Sequence, residues 1–262
     1  GHARKGCPVS ASQERCIPQE KALLHAAPGF ADAFLVDGET PAAGTIRARP
    51  ALADMLDHLA RAGLDDFYRG DVGREIAADL ERIGAPVLRE DLVRYRARTV
   101  APLAARVRDA TIYNFPPPTQ GLASLLILGI ADAADELARQ HGLIEAVKRA
   151  FRIRDRVVTD PGRLTADPDA FLTAAVFARE AARIARDRAA PYPAPPTEGD
   201  TVWMGAIDRE GIAVSYIQSI YWEYGSGCVL PATGLHWQNR GVSFSLDPGS
   251  RNPLEPGRKP FH

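Results

Sequence analysis

Hydrophobic positions along the chain change their period near residue 200. From Pro50, the residues Leu52, Met55, Leu56 and Leu59 fall at i, i+3, i+4 and i+7, one face of a helix with Pro in its first turn and Gly63 as its stop. Val72, Ile76, Leu80 and Ile83 predict a second amphipathic helix, ended by Gly84 before Pro86. A short helical turn is expected around Arg89 to Tyr95. A β-type run from Val107 to Phe115 follows and stops at Pro116-Pro117-Pro118, because three prolines cannot continue a ladder. Gly121 to Gln140 and Leu143 to Arg156 read as two packed helices split at His141-Gly142, and Asp167 to Arg188 as a third. Ala189 to Gly199, with Pro191, Pro193, Pro195 and Pro196, reads as an extended connector. Beyond it the period is 2. Val202 to Ile207 and Ile212 to Ile220 predict a hairpin around Asp208-Arg209-Glu210-Gly211, with a buried first strand.

The expected fold class is α/β of the α+β kind. A mainly helical portion, residues 1–200, ends in the proline-rich connector, and a β-rich portion, residues 201–262, follows.

Composition narrows the partners. Of 262 residues 45% are hydrophobic and 25% charged, enough apolar surface for a sizeable core. The 32 Lys and Arg against 33 Asp and Glu leave a net charge of -1, so nothing electrostatic points to nucleic acid or an anionic membrane, and a small-molecule substrate is expected. Cys7, Cys16 and Cys228 are too few and scattered for a disulfide framework or a zinc site, which favours a reducing, cytoplasmic setting. The longest apolar run, Leu122 to Ile130, is too short for a membrane span. The histidines share no metal spacing, and no glycine-rich nucleotide loop is present, so no metal and no cofactor are expected.

The candidate chemistry sits at the change of period. A Thr hydroxyl is a poor nucleophile without a base beside it, and a Thr at a chain's amino terminus carries that base as its own α-amine once the preceding bond is cut. Asp200-Thr201 places a Thr between connector and first strand, where such a cut is feasible. Taken alone, Thr201 reads first as an ordinary strand residue, and as a nucleophile only in the minority of cases. Ser219 reads as a solvent-facing or backbone-bonded hydroxyl, and Arg240 as a surface or ion-pair residue.

Several motifs in order change that balance. Asp66-Phe67-Tyr68-Arg69-Gly70, Arg89-Glu90-Asp91-Leu92, Phe115-Pro116-Pro117-Pro118-Thr119-Gln120-Gly121 and Asp155-Arg156 with Asp160-Pro161 resemble large-subunit landmarks of the gamma-glutamyltransferase family. Gly199-Asp200-Thr201, Asp208-Arg209-Glu210-Gly211, Gln218-Ser219-Ile220, Tyr224-Gly225-Ser226-Gly227 and Asn239-Arg240 resemble the opening of its small subunit. The resemblance implies part of a four-layer αββα amino-terminal-nucleophile hydrolase fold. It also implies self-cleavage between Asp200 and Thr201, an acyl-enzyme on Thr201, and two processed subunits that stay paired.

Carried over by position, Thr201 matches the nucleophile and Ser219 the hydroxyl that orients it. Tyr221 stands where the transferases have Asn, and Arg240 and Ser243 stand where they hold the substrate ammonium with an amide or acid and an Asp. A guanidinium cannot hold an ammonium but matches a carboxylate bidentately. The segment is therefore more similar to the oxamate amidohydrolase branch, acting on a small carboxylate-bearing amide. A gamma-glutamyl hydrolase or transferase is the alternative enzyme reading, and a helical interaction module the alternative from another class. The family pattern starts before Gly1 with a carboxylate-binding Arg and continues past His262 to a Gly-Gly oxyanion hole. The resemblance thus implies the middle of a longer precursor, inactive as this piece alone.

Overall fold

A computed structural model describes residues 1–135, 140–192 and 201–261. The architecture is α+β, with helices and three separate two-stranded antiparallel sheets among the described residues. The chain forms two compact units, Gly1–Ala97 with Glu198–Asn239, and Arg98–Thr197 with Arg240–His262.

In the first unit, the Pro50–Ala62 helix ends at Gly63, whose φ of 93° a side chain would resist. It buries Met55 and Leu59 against Val72, Ile76 and Leu80 of the Asp71–Arg82 helix and against Leu230, and Ala53 is buried as well. Leu56, expected on that face, is 48% exposed. The Asp66 landmark is a capping device: its carboxylate accepts the N–H of Asp71 at 3.2 Å and of Val72 at 2.9 Å. A Cβ on Gly70 would meet that carboxylate at 1.8 Å, so only Gly fits there. Arg89 donates from Nη2 to the Arg69 carbonyl at 2.8 Å, tying the next landmark to this one.

The second unit is built around the Gly121–Ala133 helix, apolar nearly all round, with Leu122, Leu125, Leu126 and Ile130 fully buried. The Gln140–Val157 and Ala174–Ala181 helices and the Leu103–Val107 strand cover it. A Cβ at Gly129 would lie 2.5 Å from the Phe177 ring, so this helix glycine is a packing requirement. Phe115 to Gly121 forms a corner, with Thr119 Oγ1 donating to the Phe115 carbonyl at 3.1 Å and accepting from the Gly121 N–H at 3.2 Å.

Three expected elements differ here. The run Val107–Phe115 is the second half of a hairpin, Leu103–Val107 with Ala110–Asn114; Arg108 turns it at φ 52°, its N–H held by Asp132 at 3.0 Å. The two central helices are Gly121–Ala133 and Gln140–Val157, so His141-Gly142 lies inside the second helix, where Gly142 is buried. The third helix is reduced to Ala174–Ala181 behind a 3-10 turn, Pro168–Phe171, because Thr173 caps it by accepting the Val176 N–H at 3.4 Å. The connector is described only to Tyr192; Asp200 lies outside the described residues.

Candidate active site

Thr201 precedes the hairpin Val202–Ile207 with Ala213–Gln218. Its register is fixed by the turn, where Asp208 and Ile212 close the loop at 3.1 Å and the Asp208 carboxylate accepts the Ile212 N–H at 2.8 Å, with Gly211 at φ 84°. The last pair of the ladder is Val202 with Gln218, and Thr201 and Ser219 are the next residue along each strand. By alternation the two share a face with Trp203, Ser215 and Ile217. The strands are exposed on both faces, Ile207 to 76%, contrary to the expected buried first strand. A lone two-stranded hairpin has no second layer to bury it.

Ser219 Oγ accepts the N–H of Tyr221 at 2.9 Å, a turn that ends the strand. Tyr221 sits at φ 81°, where a bulky residue is strained. The Ile220 carbonyl accepts the Asn239 N–H at 2.9 Å, which ties the turn to the segment before Arg240. Behind it, Gly225 at φ 49° lets the Trp237 carbonyl approach, 2.7 Å from where a Cβ would stand. This glycine-rich turn admits the chain's own backbone.

Tyr224 is buried in T-shaped contact with Phe30 and Phe34, and burial pushes its pKa up to about 12. His236 packs 5.1 Å from Phe34, and its Nε2 lies 2.6 Å from the Tyr224 carbonyl. Burial lowers its pKa, aided by Arg49 and opposed by the Tyr224 carbonyl. A neutral imidazole donating from Nε2 satisfies both facts.

The remaining predicted residues belong to the second unit. Arg240 opens the Arg240–Ser243 3-10 turn and is partly exposed. The Ser243 hydroxyl lies 2.9 Å from the Arg240 carbonyl and 2.7 Å from the Phe261 carbonyl, so its single proton ties the turn to the chain's last residues. Thr201, Ser219 and Tyr221 thus lie at the open end of the hairpin in the first unit, while Arg240 and Ser243 are organised within the other unit.

Sequence reasoning passed over Trp203. Its indole folds over Gly205, where a Cβ would come within 2.7 Å of the ring, and donates to Ser215 Oγ at 2.9 Å. Two residues along on the face of Thr201, it was legible from the same alternation. His58, Asp66 and Asp71 are the one group of three potential metal ligands among the described residues, within 4.8 Å of one another. Asp66 already serves as the helix cap.

A family model described as gamma-glutamyltranspeptidase matches residues 1–262. The chain is 45% identical over 267 residues to the oxamate amidohydrolase proenzyme of Klebsiella pneumoniae, covering 100% of this chain and 51% of that protein. It is 36% identical to the glutathione hydrolase-like YwrD proenzyme of Bacillus subtilis, again over 100% of this chain and 51% of the relative. Among solved structures, cephalosporin acylase from Bacillus halodurans superposes with a TM-score of 0.85 at 30% identity, over 100% of this chain and 50% of that one. Gamma-glutamyltranspeptidase from Pseudomonas nitroreducens superposes at 0.65 with 26% identity, over 73% and 59%. The chain spans about half the length of the curated relatives it matches. No helix among the described residues is long and apolar enough to cross a membrane.

Proposed function

The chain belongs to the gamma-glutamyltranspeptidase family, and from that premise we propose that it carries the cleavage junction and nucleophile of a self-processing threonine amidohydrolase. The observation that supports this most is the placement of Thr201, directly after the Asp200 junction and next to Val202, whose ladder partner Gln218 directly precedes a second hydroxyl, Ser219. In processing, Thr201 Oγ1 attacks the Asp200 carbonyl, the peptide becomes an ester, and water releases the Asp200 carboxylate and a free α-amine. In turnover that amine takes the Thr201 hydroxyl proton, the oxygen attacks the substrate amide carbonyl, ammonia leaves, and water hydrolyses the acyl ester. Ser219 orients the nucleophile.

The substrate class follows from charge. A permanently cationic Arg240 pairs with a carboxylate and repels the ammonium of a γ-glutamyl group, by about 4 kcal/mol at contact and an effective dielectric near 20. Tyr221, bulkier than the Asn of the transferases, suits a smaller substrate, and the Ser243 hydroxyl bonds the carbonyl of Arg240 within its turn. A small amide carrying a carboxylate, such as oxamate, meets both demands. The relative from Klebsiella pneumoniae bears that name. Mass spectrometry of the full-length protein should find two chains, the second starting at Thr201, and the mature form should hydrolyse oxamate in preference to γ-glutamyl p-nitroanilide. Preference for the γ-glutamyl substrate would move the protein to the glutathione-hydrolase side of the family. A single uncut chain without amidase activity would sink both readings.

A further inference from the structure

Between the Gln140–Val157 and Ala174–Ala181 helices lies a cleft of about 470 Å³, lined by four arginines, Arg149, Arg152, Arg156 and Arg183, and two acids, Asp155 and Glu180. The acids do not balance the arginines. Asp155 is taken by Arg154 at 2.7 Å, from outside the lining. Glu180, 5% exposed, takes Arg149 at 2.9 Å and Arg183 at 3.0 Å, with Arg179 beside them at 3.3 Å. Arg152 and Arg156 have no carboxylate within ion-pair distance among the described residues. Arg152 donates to the Pro191 carbonyl at 3.3 Å and Arg156 to the Arg152 carbonyl at 3.0 Å. Four lining guanidiniums thus face two carboxylates, each also paired with an arginine from outside the lining, in a chain whose net charge is -1. Arg149, Arg152 and Arg156 also fall at i, i+3 and i+7 of one helix, where like charges repel. A stripe that weakens its own helix and faces a concavity is a local conflict of the kind found at binding sites.

We infer that this cleft binds a small phosphoryl-bearing anion carrying two or three negative charges. Guanidinium forks match phosphoryl oxygens bidentately, and each of Arg152 and Arg156 keeps donors beyond the one its carbonyl bond uses. Two or three charges are what the unbalanced arginines call for. The carboxylates within the lining disfavour an extended polyanion and leave room for a small one. The ligand is independent of the chemistry proposed at Thr201.

The test is calorimetric titration of the full-length protein with sodium pyrophosphate at constant ionic strength. Saturable binding is expected, weaker by about 10-fold in each of Arg152→Gln and Arg156→Gln and unchanged in Arg94→Gln, an exposed arginine of the other unit. Both cleft variants keep the side-chain stem at exposed positions, and unchanged thermal midpoints without ligand will show that they fold. Inorganic phosphate should bind more weakly than pyrophosphate. Absence of saturable heat, equal affinity in the double variant, or succinate binding as tightly as pyrophosphate would each overturn the assignment.

Discussion

Thr201 and Ser219 are the residues that directly flank Val202 and Gln218, the last pair of a hairpin whose register is pinned by the Asp208 turn. On the proposed chemistry, Thr201→Ala in the full-length protein stays one chain on a denaturing gel. Ser219→Ala still cuts, but about 10- to 100-fold more slowly in a timed assay, the effect of losing one orienting hydrogen bond in a transition state. Full-rate cutting in the Ser219 variant would reduce Ser219 to a turn former for Tyr221.

Tyr221 holds a left-handed backbone at φ 81° that Asn adopts with little strain. Tyr221→Asn should therefore raise stability by about 1 kcal/mol in urea titration, even though it removes an aromatic ring. A loss of stability would mean that the contact of Tyr221 with Trp222, at 6.0 Å, outweighs the strain.

Arg240→Gln keeps a hydrogen-bond donor and removes the charge. Oxamate hydrolysis by the mature enzyme is expected to fall about 10- to 100-fold, with γ-glutamyl p-nitroanilide unaffected or improved. Unchanged oxamate turnover would make Arg240 a structural residue of its 3-10 turn.

The local grammar of the sequence found what local forces decide. The helices ended by Gly63 and Gly84 and the hairpin turned by Asp208 to Gly211 each carry their own stop or turn residues. The Leu103–Val107 strand was missed because its inward positions are Leu103, Ala105 and Val107, and a small Ala blurs the alternation. Its turn uses Arg108 at positive φ, secured by the distant Asp132, where sequence rules look for Gly or Asn. At the site, Thr201 and Ser219 stood out through the family motifs and not through periodicity, which alone reads them as an ordinary strand residue and a solvent-facing hydroxyl. The hydroxyl of Ser243 answers to Phe261, 18 residues away, and no spacing announces that contact.

The depressed pKa of His236 gives a pH signature. The unfolded chain takes up the imidazole proton near the ordinary value of about 6.5, while the folded chain resists it. Stability from this group is thus present above about pH 6.5 and is lost as pH falls below it toward the folded pKa. Thermal midpoints should drop between pH 7 and 5, and His236→Gln should flatten that part of the profile. An unchanged slope would assign it to other groups.

Asp79 is fully buried, and its carboxylate accepts the Ala232 N–H at 3.0 Å while pairing with Arg82. Asp79→Ala strands both donors and should cost about 3 kcal/mol in denaturant titration. A cost under about 1 kcal/mol would mean that water replaces the carboxylate.

That bond also joins residues on opposite sides of the proposed cut, and it is not alone in doing so. Arg49 donates to the Gly234 carbonyl at 2.8 Å, Leu230 packs into the core of Met55 and Ile76, and Thr159 donates to the Arg251 carbonyl at 3.1 Å. Each compact unit contains chain from before residue 200 and from after residue 201. Breaking the Asp200–Thr201 bond therefore behaves as a nick in a knitted fabric: it frees two ends while every stitch across them holds. Parting the two products would require unravelling both cores, so a tag on either one should retrieve the other from any buffer in which the protein stays folded.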